Sequence, residues 1–406
     1  MNRKVLYISY DGMTDPLGQS QVIPYLQGLA KHGHEITILS CEKKDRYQQN
    51  SILISDLLKK SNIKWNPIFY HKSPPVLSSL WDLFQLYRQA RKLIARENCN
   101  LLHCRSYIPS LVGLHFSRSR KIPFLFDMRG FWADERVDGK LWNLKHPLYR
   151  VIYNFFKRRE ADFLQESFCT VSLTHAAKKE MANWPSAKGA RIEVIPCCAD
   201  LDFFSEENVN QAAKLKLESE LAIPGKIIIY LGSLGTWYML EEMLDCFQAI
   251  LEKSKEYYFL FLTPDNPQIV FELAEKKGIP RERLFVRKAS RQEVPSYLSL
   301  ATLGLFFIRP SYSKMSSSPT KLAELLGMGV PVIANAKVGD ADQFFQQYQV
   351  GTLLSDFSES SYEEAARQIV QIERLNKQEI RRAALEYFSL RNGIEAYKMI
   401  YETCPR

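Results

Sequence analysis

Between Leu303 and Glu324 a strand-like apolar run leads directly into Arg309-Pro310-Ser311-Tyr312-Ser313-Lys314-Met315-Ser316-Ser317-Ser318-Pro319-Thr320-Lys321-Leu322-Ala323-Glu324. Ser318 is placed to cap a helix, Pro319 to be its first residue and Glu324 to lie one turn inside. An exposed helix start offers free N–H groups and the positive dipole end, and Arg309, Lys314 and Lys321 add full charges, so the loop could hold phosphate. Serine capping of an ordinary surface helix accounts for the same residues. A second polar cluster, Asp127-Met128-Arg129-Gly130-Phe131-Trp132-Ala133-Asp134-Glu135-Arg136, follows another strand-like run. There Asp127, Asp134 or Glu135 could accept a hydrogen bond from a reacting hydroxyl, and Arg129 could bind an anion. His103-Cys104-Arg105-Ser106 closes the preceding run and is a further candidate. Ion pairing inside the cluster explains these residues equally well.

Other chemistries find no support. The chain has no Gly-x-Ser-x-Gly elbow, no G-x-x-x-x-G-K-[ST] phosphate loop and no H-E-x-x-H pair. Gly232-Ser233-Leu234-Gly235 lacks the third glycine of a dinucleotide fingerprint. Asp200/Asp202 and Asp340/Asp342 are D-x-D pairs, but they read as turn or cap residues, and we expect no metal. The eight cysteines form no C-x-x-C pair, so reduced thiols packed as small hydrophobes are expected.

The elements that must position these groups are those of βα units, in which short β-branched and aromatic runs alternate with amphipathic stretches. Strands are expected at 4–10, 35–41, 63–70, 101–105, 123–128, 168–172 and 191–197, with helices near 19–32, 47–61, 78–98, 107–119, 148–166 and 173–183. The pattern breaks at Pro196–Phe204. It resumes with strands at 226–234, 257–263, 284–289, 303–308, 331–335 and 350–354, and helices near 361–373, 376–387 and 390–402 close the chain. We expect an α/β protein of two Rossmann-like doubly wound domains facing across a cleft. The first is 1–198, a linker spans 199–225, the second is 226–388, and a helix in 389–406 packs back on the first domain. Open parallel sheets bind ligands at the carboxyl ends of their strands.

The segment Ser316–Ile333, with Glu324 ahead of Gly329-Val330-Pro331, resembles the nucleotide-sugar signature of GT-B glycosyltransferases, especially the retaining family 4 enzymes. In that signature two glutamates are separated by seven intervening residues, and Ser316 occupies the place of the first. The likeness extends to Tyr10–His34, to Ile195–Phe204 and to Tyr230-Leu231-Gly232-Ser233-Leu234. It implies transfer of a glycosyl group from a nucleoside diphosphate sugar to an acceptor hydroxyl, with no other cofactor. Donor contacts are implied for Gly18, Gly232, Ser233, Gly235, Arg309, Lys314, Ser316, Ser317, Ser318, Thr320, Lys321 and Glu324, the last as acceptor from the ribose hydroxyls. Asp127, Arg129 and Lys321 are the catalytic candidates, and His103, Arg105, Trp132, Asp134 and Glu135 the acceptor-side ones. Many relatives supply an arginine and a lysine from the loop after the first donor-domain strand. Here Ser233 and Tyr238 stand there, so the diphosphate must find its cations elsewhere.

The chain has 406 residues, 46% hydrophobic and 24% charged, and a net charge of +9, which excludes disorder, collagen-like repeats and small disulfide scaffolds. Residues 1–200 hold 30 Lys+Arg against 18 Asp+Glu, and residues 201–406 hold 24 against 27. A basic acceptor domain suits a sugar or lipid-linked acceptor at an anionic membrane surface, and Lys140–Phe163, where Trp142, Leu148, Phe155 and Phe156 alternate with cations, could lie at such an interface. An amphipathic helix with its stripe in the core is the alternative. We expect a cytoplasmic protein, peripheral at the inner membrane face, acting in glycan, polysaccharide or glycolipid biosynthesis. The competing readings are a non-catalytic nucleotide-sugar or glycan-binding protein on the GT-B scaffold and a GT-B type sugar-nucleotide epimerase. Nucleic-acid binding has no motif to accompany the charge.

Overall fold

A computed structural model describes residues 2–74 and 76–405. The chain divides into two compact units, residues 1–198 with 390–406 and residues 199–389. The first unit is built on a seven-stranded parallel sheet. Its strands are β1 (Lys4–Ser9), β2 (Glu35–Glu42), β3 (Lys64–Phe69), β4 (Leu101–Arg105), β5 (Phe124–Asp127), β6 (Cys169–Ser172) and β7 (Ile192–Val194). They lie in the order β3-β2-β1-β4-β5-β6-β7. β1 is paired with both β2 and β4, Val5 standing opposite Ile36 on one side and Leu101 on the other. The direction of winding reverses at that point, so the loops after β1 and β4 part and open a crevice at the carboxyl edge.

The second unit repeats the design with β8 (Lys226–Leu231), β9 (Tyr257–Leu262), β10 (Leu284–Arg287), β11 (Ala301–Leu305), β12 (Val332–Asn335) and β13 (Gly351–Leu354). The order is β10-β9-β8-β11-β12-β13, with the reversal between β8 and β11. β8 reads Lys-Ile-Ile-Ile-Tyr-Leu and is buried over Ile227–Tyr230, as a central strand covered on both faces requires. Gly351 is held at φ +146 where a Cβ would lie 1.8 Å from the Val332 carbonyl oxygen, so only glycine lets β13 join β12. Two parallel-sheet Rossmann-like α/β domains in series are thus present.

Several boundaries differ from expectation. The helix expected over 19–32 is two, Pro16–Gln21 and Ile23–Lys31, broken at Val22. Pro24 lacks an N–H and fits only the first turn of a helix, so a fresh helix begins just before it. Residues 199–225 are not a bare linker. They belong to the second unit and contain a helix, Gln211–Leu221, capped by the Asn210 side chain and burying Leu217 and Leu221. Trp132–Asp138 is also helical, which its mixed polar composition concealed. The final helix, Leu390–Glu402, lies in the first unit and buries Tyr397, Ile400 and Tyr401. Gly28 permits this packing, because a Cβ there would lie 2.3 Å from the Ile394 side chain.

Candidate functional site

In the second unit the reversal point gathers the loop after β8 and the segment after β11. The two are stitched together by the Arg309 amide donating to the Trp237 carbonyl (2.9 Å) and the Met239 amide donating to that of Phe307 (3.1 Å). Asn335 at the end of β12 holds Ile308 through two hydrogen bonds, of 2.8 and 3.0 Å. The helix that follows spans Thr320–Gly327 with Pro319 as its N-cap in extended conformation (ψ 116°). This corrects the expected start. Ser318 is not the cap and Pro319 is not the first helical residue, because the extended Pro319 leaves the chain one residue later into the helix. A short 3-10 turn, Tyr312–Ser316, precedes it, and Ser316 is buried with its hydroxyl donating to the Ser313 carbonyl (2.6 Å).

Lys321, in the first turn, points back towards the end of β8. Its residue is 6% exposed, its Nζ has no hydrogen-bond partner, and the atom lies 3.4 Å from the Tyr238 ring centroid, 4.0 Å from that of Tyr230 and 5.6 Å from that of Phe306. A Cβ placed on Gly232 would be 3.3 Å from the same Nζ. Gly232 itself has φ +113, so a side chain there would strain the backbone and crowd the lysine. Contact with an aromatic face stabilises a desolvated ammonium by about 2 kcal/mol or more. Removing an ion from water costs several kcal/mol. Burial accordingly drives the Lys321 pKa well below the ordinary lysine value, against a smaller upward pull from Glu324.

Glu324, one turn further on, has 13% of its side chain exposed and stands 3.8 Å from the Arg291 guanidinium. Burial pushes its pKa up to about 7, with Arg291 and then Lys321 pulling it down. Arg291 is set by the rings of Phe203 and Phe204, 5.5 and 5.6 Å from its guanidinium carbon. Lys314 is buried with its Nζ 3.8 Å from the Trp237 ring centroid. Of the expected donor residues, Gly232, Lys321 and Glu324 are thus brought together, and Lys314 is tied in through Trp237. Ser233 is exposed, with its carbonyl accepting from the Tyr230 hydroxyl. Gly235 and the Arg309 side chain are exposed, and Ser317, Ser318 and Thr320 are half-buried around the helix start. Arg291 and Phe306 carry no motif that singles them out, and Tyr230 stood in the Tyr230–Leu234 likeness without a contact of its own assigned to it. Tyr238 carried a signal as the residue standing where relatives place a cation.

In the first unit, His103, Arg105, Asp127 and Arg129 meet at the ends of β4 and β5. Asp127, 2% exposed, has Arg105 and Arg129 each at 3.8 Å and His103 Nε2 at 3.5 Å. Burial alone would raise its pKa, but Arg129, His103 and Arg105 together hold it below the usual carboxylate range. Burial lowers the pKa of His103, whose Nδ1 is 2.7 Å from the Tyr401 hydroxyl. Arg105 also reaches Asp11 after β1 (3.3 Å). Arg129 adopts φ +57, a conformation rare outside glycine, and donates to Cys197 Sγ (3.1 Å).

Two acceptor-side candidates are occupied by the fold itself. Trp132 stacks on Tyr107 and packs edge-on to Phe156 and Trp142. Asp134 is buried and accepts from the Tyr153 hydroxyl (2.7 Å) and Lys157 (2.9 Å). Glu135 is half-buried on the same helix. Gly18 lies in the first unit, where a Cβ would stand 2.2 Å from the Gly12 carbonyl oxygen, so its smallness serves the opening loop. Glu42 shapes that loop by accepting from the amides of Met13 (2.8 Å) and Thr14 (3.1 Å).

The D-x-D acids are used locally. Asp200 accepts from the Phe203 amide, Asp340 from the Tyr387 hydroxyl and Asp342 from the Lys337 amide. Among the described residues no group of three His, Cys, Asp or Glu side chains is placed to hold a metal ion. All eight cysteines are buried thiols outside any disulfide. No helix is long and apolar enough to cross a membrane among the described residues.

Two family models match the chain, Glycosyltransferase Family 4 over residues 20–203 and Glycosyl transferases group 1 over residues 214–386. Among solved structures the chain is similar to a glycosyltransferase from Rickettsia africae, at 15% identity and a TM-score of 0.74, over 99% of this chain and 98% of that one. It is also similar to Anabaena Alr3699/HepE in complex with UDP and glucose, at 11% identity and a TM-score of 0.72, over 99% and 100% of the two chains. WaaG, a glycosyltransferase involved in lipopolysaccharide biosynthesis, matches at 14% identity and a TM-score of 0.68, over 98% and 100%. No curated protein matches the chain. The paired parallel sheets are those of a GT-B enzyme. Within that class the chain belongs to the group 1, family 4-like glycosyltransferases.

Proposed function

We propose that the chain transfers a sugar, with retention of configuration and without a metal ion, from a nucleoside diphosphate sugar to an acceptor hydroxyl. The observation that carries this reading is Lys321, buried beside Gly232 at a helix start and lacking a hydrogen-bond partner. A buried nitrogen without a partner is costly in an ordinary core and useful where an anion enters. As the sugar leaves, negative charge builds on the diphosphate. Lys321 and the amides at the start of the helix Thr320–Gly327 would stabilise it, with Lys314 and Arg309 nearby in the same segment. Glu324, oriented by Arg291, would accept from the ribose hydroxyls. UDP is present in the structure of Alr3699/HepE, which supports a donor of this class without naming the base here. On the acceptor side, Asp127 and Arg129 at the end of β5 are the candidates to align the hydroxyl.

A sugar acceptor carried on lipid is favoured by one surface of the first unit. Leu77, Leu80, Trp81 and Phe84 project from the helix Leu77–Glu97 and are all more than half or about half exposed. Arg88 and Arg91 line the groove beside Phe84 and Tyr87. The helix Pro147–Glu166 adds exposed Leu148, Val151 and Phe155. Apolar side chains ringed by cations suit an anionic phospholipid interface, and would place the enzyme peripherally on the membrane in polysaccharide or glycolipid synthesis. Thermal stabilisation by UDP, GDP, dTDP or ADP tests the donor site. A shift with one base and its loss in Glu324→Ala is the expected result, and no shift with any base would overturn the reading.

A further inference from the structure

Lys321 is buried, and its Nζ has no hydrogen-bond partner. The walls around it come from several elements: Tyr230 on β8, Tyr238 in the loop after β8, and Phe306 just after β11. Glu324 on the same helix is engaged on its far side by Arg291. Asp265 beyond Tyr230 is committed to the Leu234 amide, and Lys314 lies over Trp237, adding a like charge to the same loop. A nitrogen so enclosed is easiest to keep as a neutral amine. A diphosphate arriving at Gly232 reverses the balance, since an anion in contact favours the ammonium.

We propose that Lys321 is held without its proton in the empty site and takes one up from solvent when the donor diphosphate binds, its nitrogen lone pair forming the new N–H bond. The donor thereby charges its own catalytic cation. This rests on the donor-site reading above. It means that the positive charge needed to stabilise the leaving diphosphate exists only once the donor is in place.

The test is calorimetric binding of UDP-, GDP-, dTDP- and ADP-sugars at pH 8 in two buffers of different ionisation enthalpy. A nucleotide sugar has no phosphate proton that titrates near that pH, and Glu324, with its pKa at about 7, is mostly ionised there. Uptake of about one proton per donor is expected, with Kd rising about tenfold per pH unit above the free-site pKa. Lys321→Met, which fills the same apolar cage, should bind more weakly with no uptake, and Lys321→Arg should bind with no uptake because a guanidinium stays charged. Donor binding without uptake, or uptake that persists in Lys321→Met, overturns the inference and leaves the donor site standing. Failure of every nucleotide sugar to bind overturns the donor-site reading and the inference with it.

Discussion

Glu324 shows how much a single side chain can be asked to do. In the proposed role its carboxylate is ionised to accept from two hydroxyls, yet burial raises its pKa to about 7. Below that value the carboxyl carries a proton, so the donor KM should rise as pH falls from 7 to 6. In Glu324→Gln this acid limb should vanish from the pH profile of donor KM. Glu324→Ala should raise donor KM about 10- to 100-fold, from the ~1.5–3 kcal/mol carried by hydrogen bonds to a charged group. Asp127 is a different case, since two guanidiniums and an imidazole converge on it. Removing it leaves the buried Arg129 without its carboxylate and Arg105 with Asp11 alone, and Asp127→Ala should cost about 3–5 kcal/mol in denaturant unfolding of the chain. A small loss of stability there would show that the cations relax to solvent. The residues with local context, Lys321 and Glu324, were legible in the sequence. Arg291 was not, because its pairing with Glu324 joins positions 33 residues apart that only the folded sheet brings together.

At the scale of elements, the strand runs declared themselves by their continuous apolar character, and each expected strand has a counterpart. Helix ends were less legible. The extended Pro319 and the break at Val22 depend on how neighbouring segments pack, which local propensity does not encode. The segment 199–225 looked like a linker because its polar residues outnumber its buried ones, although Leu217 and Leu221 suffice to seat a helix on the second unit. Two of its residues are held by Arg381, whose guanidinium donates to the carbonyls of Leu201 and Phe204, both at 2.8 Å, and to that of Gly327. Arg381→Ala strips three acceptors at once, and thermal unfolding should show a loss of about 2–4 kcal/mol. In the opening loop, Gly18→Ala drives a Cβ against the Gly12 carbonyl and should cost about 1–3 kcal/mol by the same measurement. An unchanged melting temperature would mean that the loop shifts freely.

For the whole molecule, the unit boundary sharpens the charge asymmetry. Residues 1–198 with 390–406 carry 33 Lys+Arg against 19 Asp+Glu, and residues 199–389 carry 21 against 26. The basic unit also presents the exposed face around Trp81 and Phe84. Cosedimentation with phosphatidylglycerol vesicles, weakened by 0.5 M salt and by Trp81→Ala/Phe84→Ala, is the expected behaviour, while equal recovery with phosphatidylcholine would count against an anionic surface. The sequence by itself determined the two-sheet class and the basic character of the first unit. It could do so because hydrophobic period and charge are local properties of a chain. Only the tertiary structure decided which of the candidate groups meet. Asp134 and Trp132 turned inward to Lys157 and Tyr107, while Lys321 was left facing Gly232 without a partner. Such pairings depend on the order in which parallel strands lie side by side, and no spacing along the chain expresses that order.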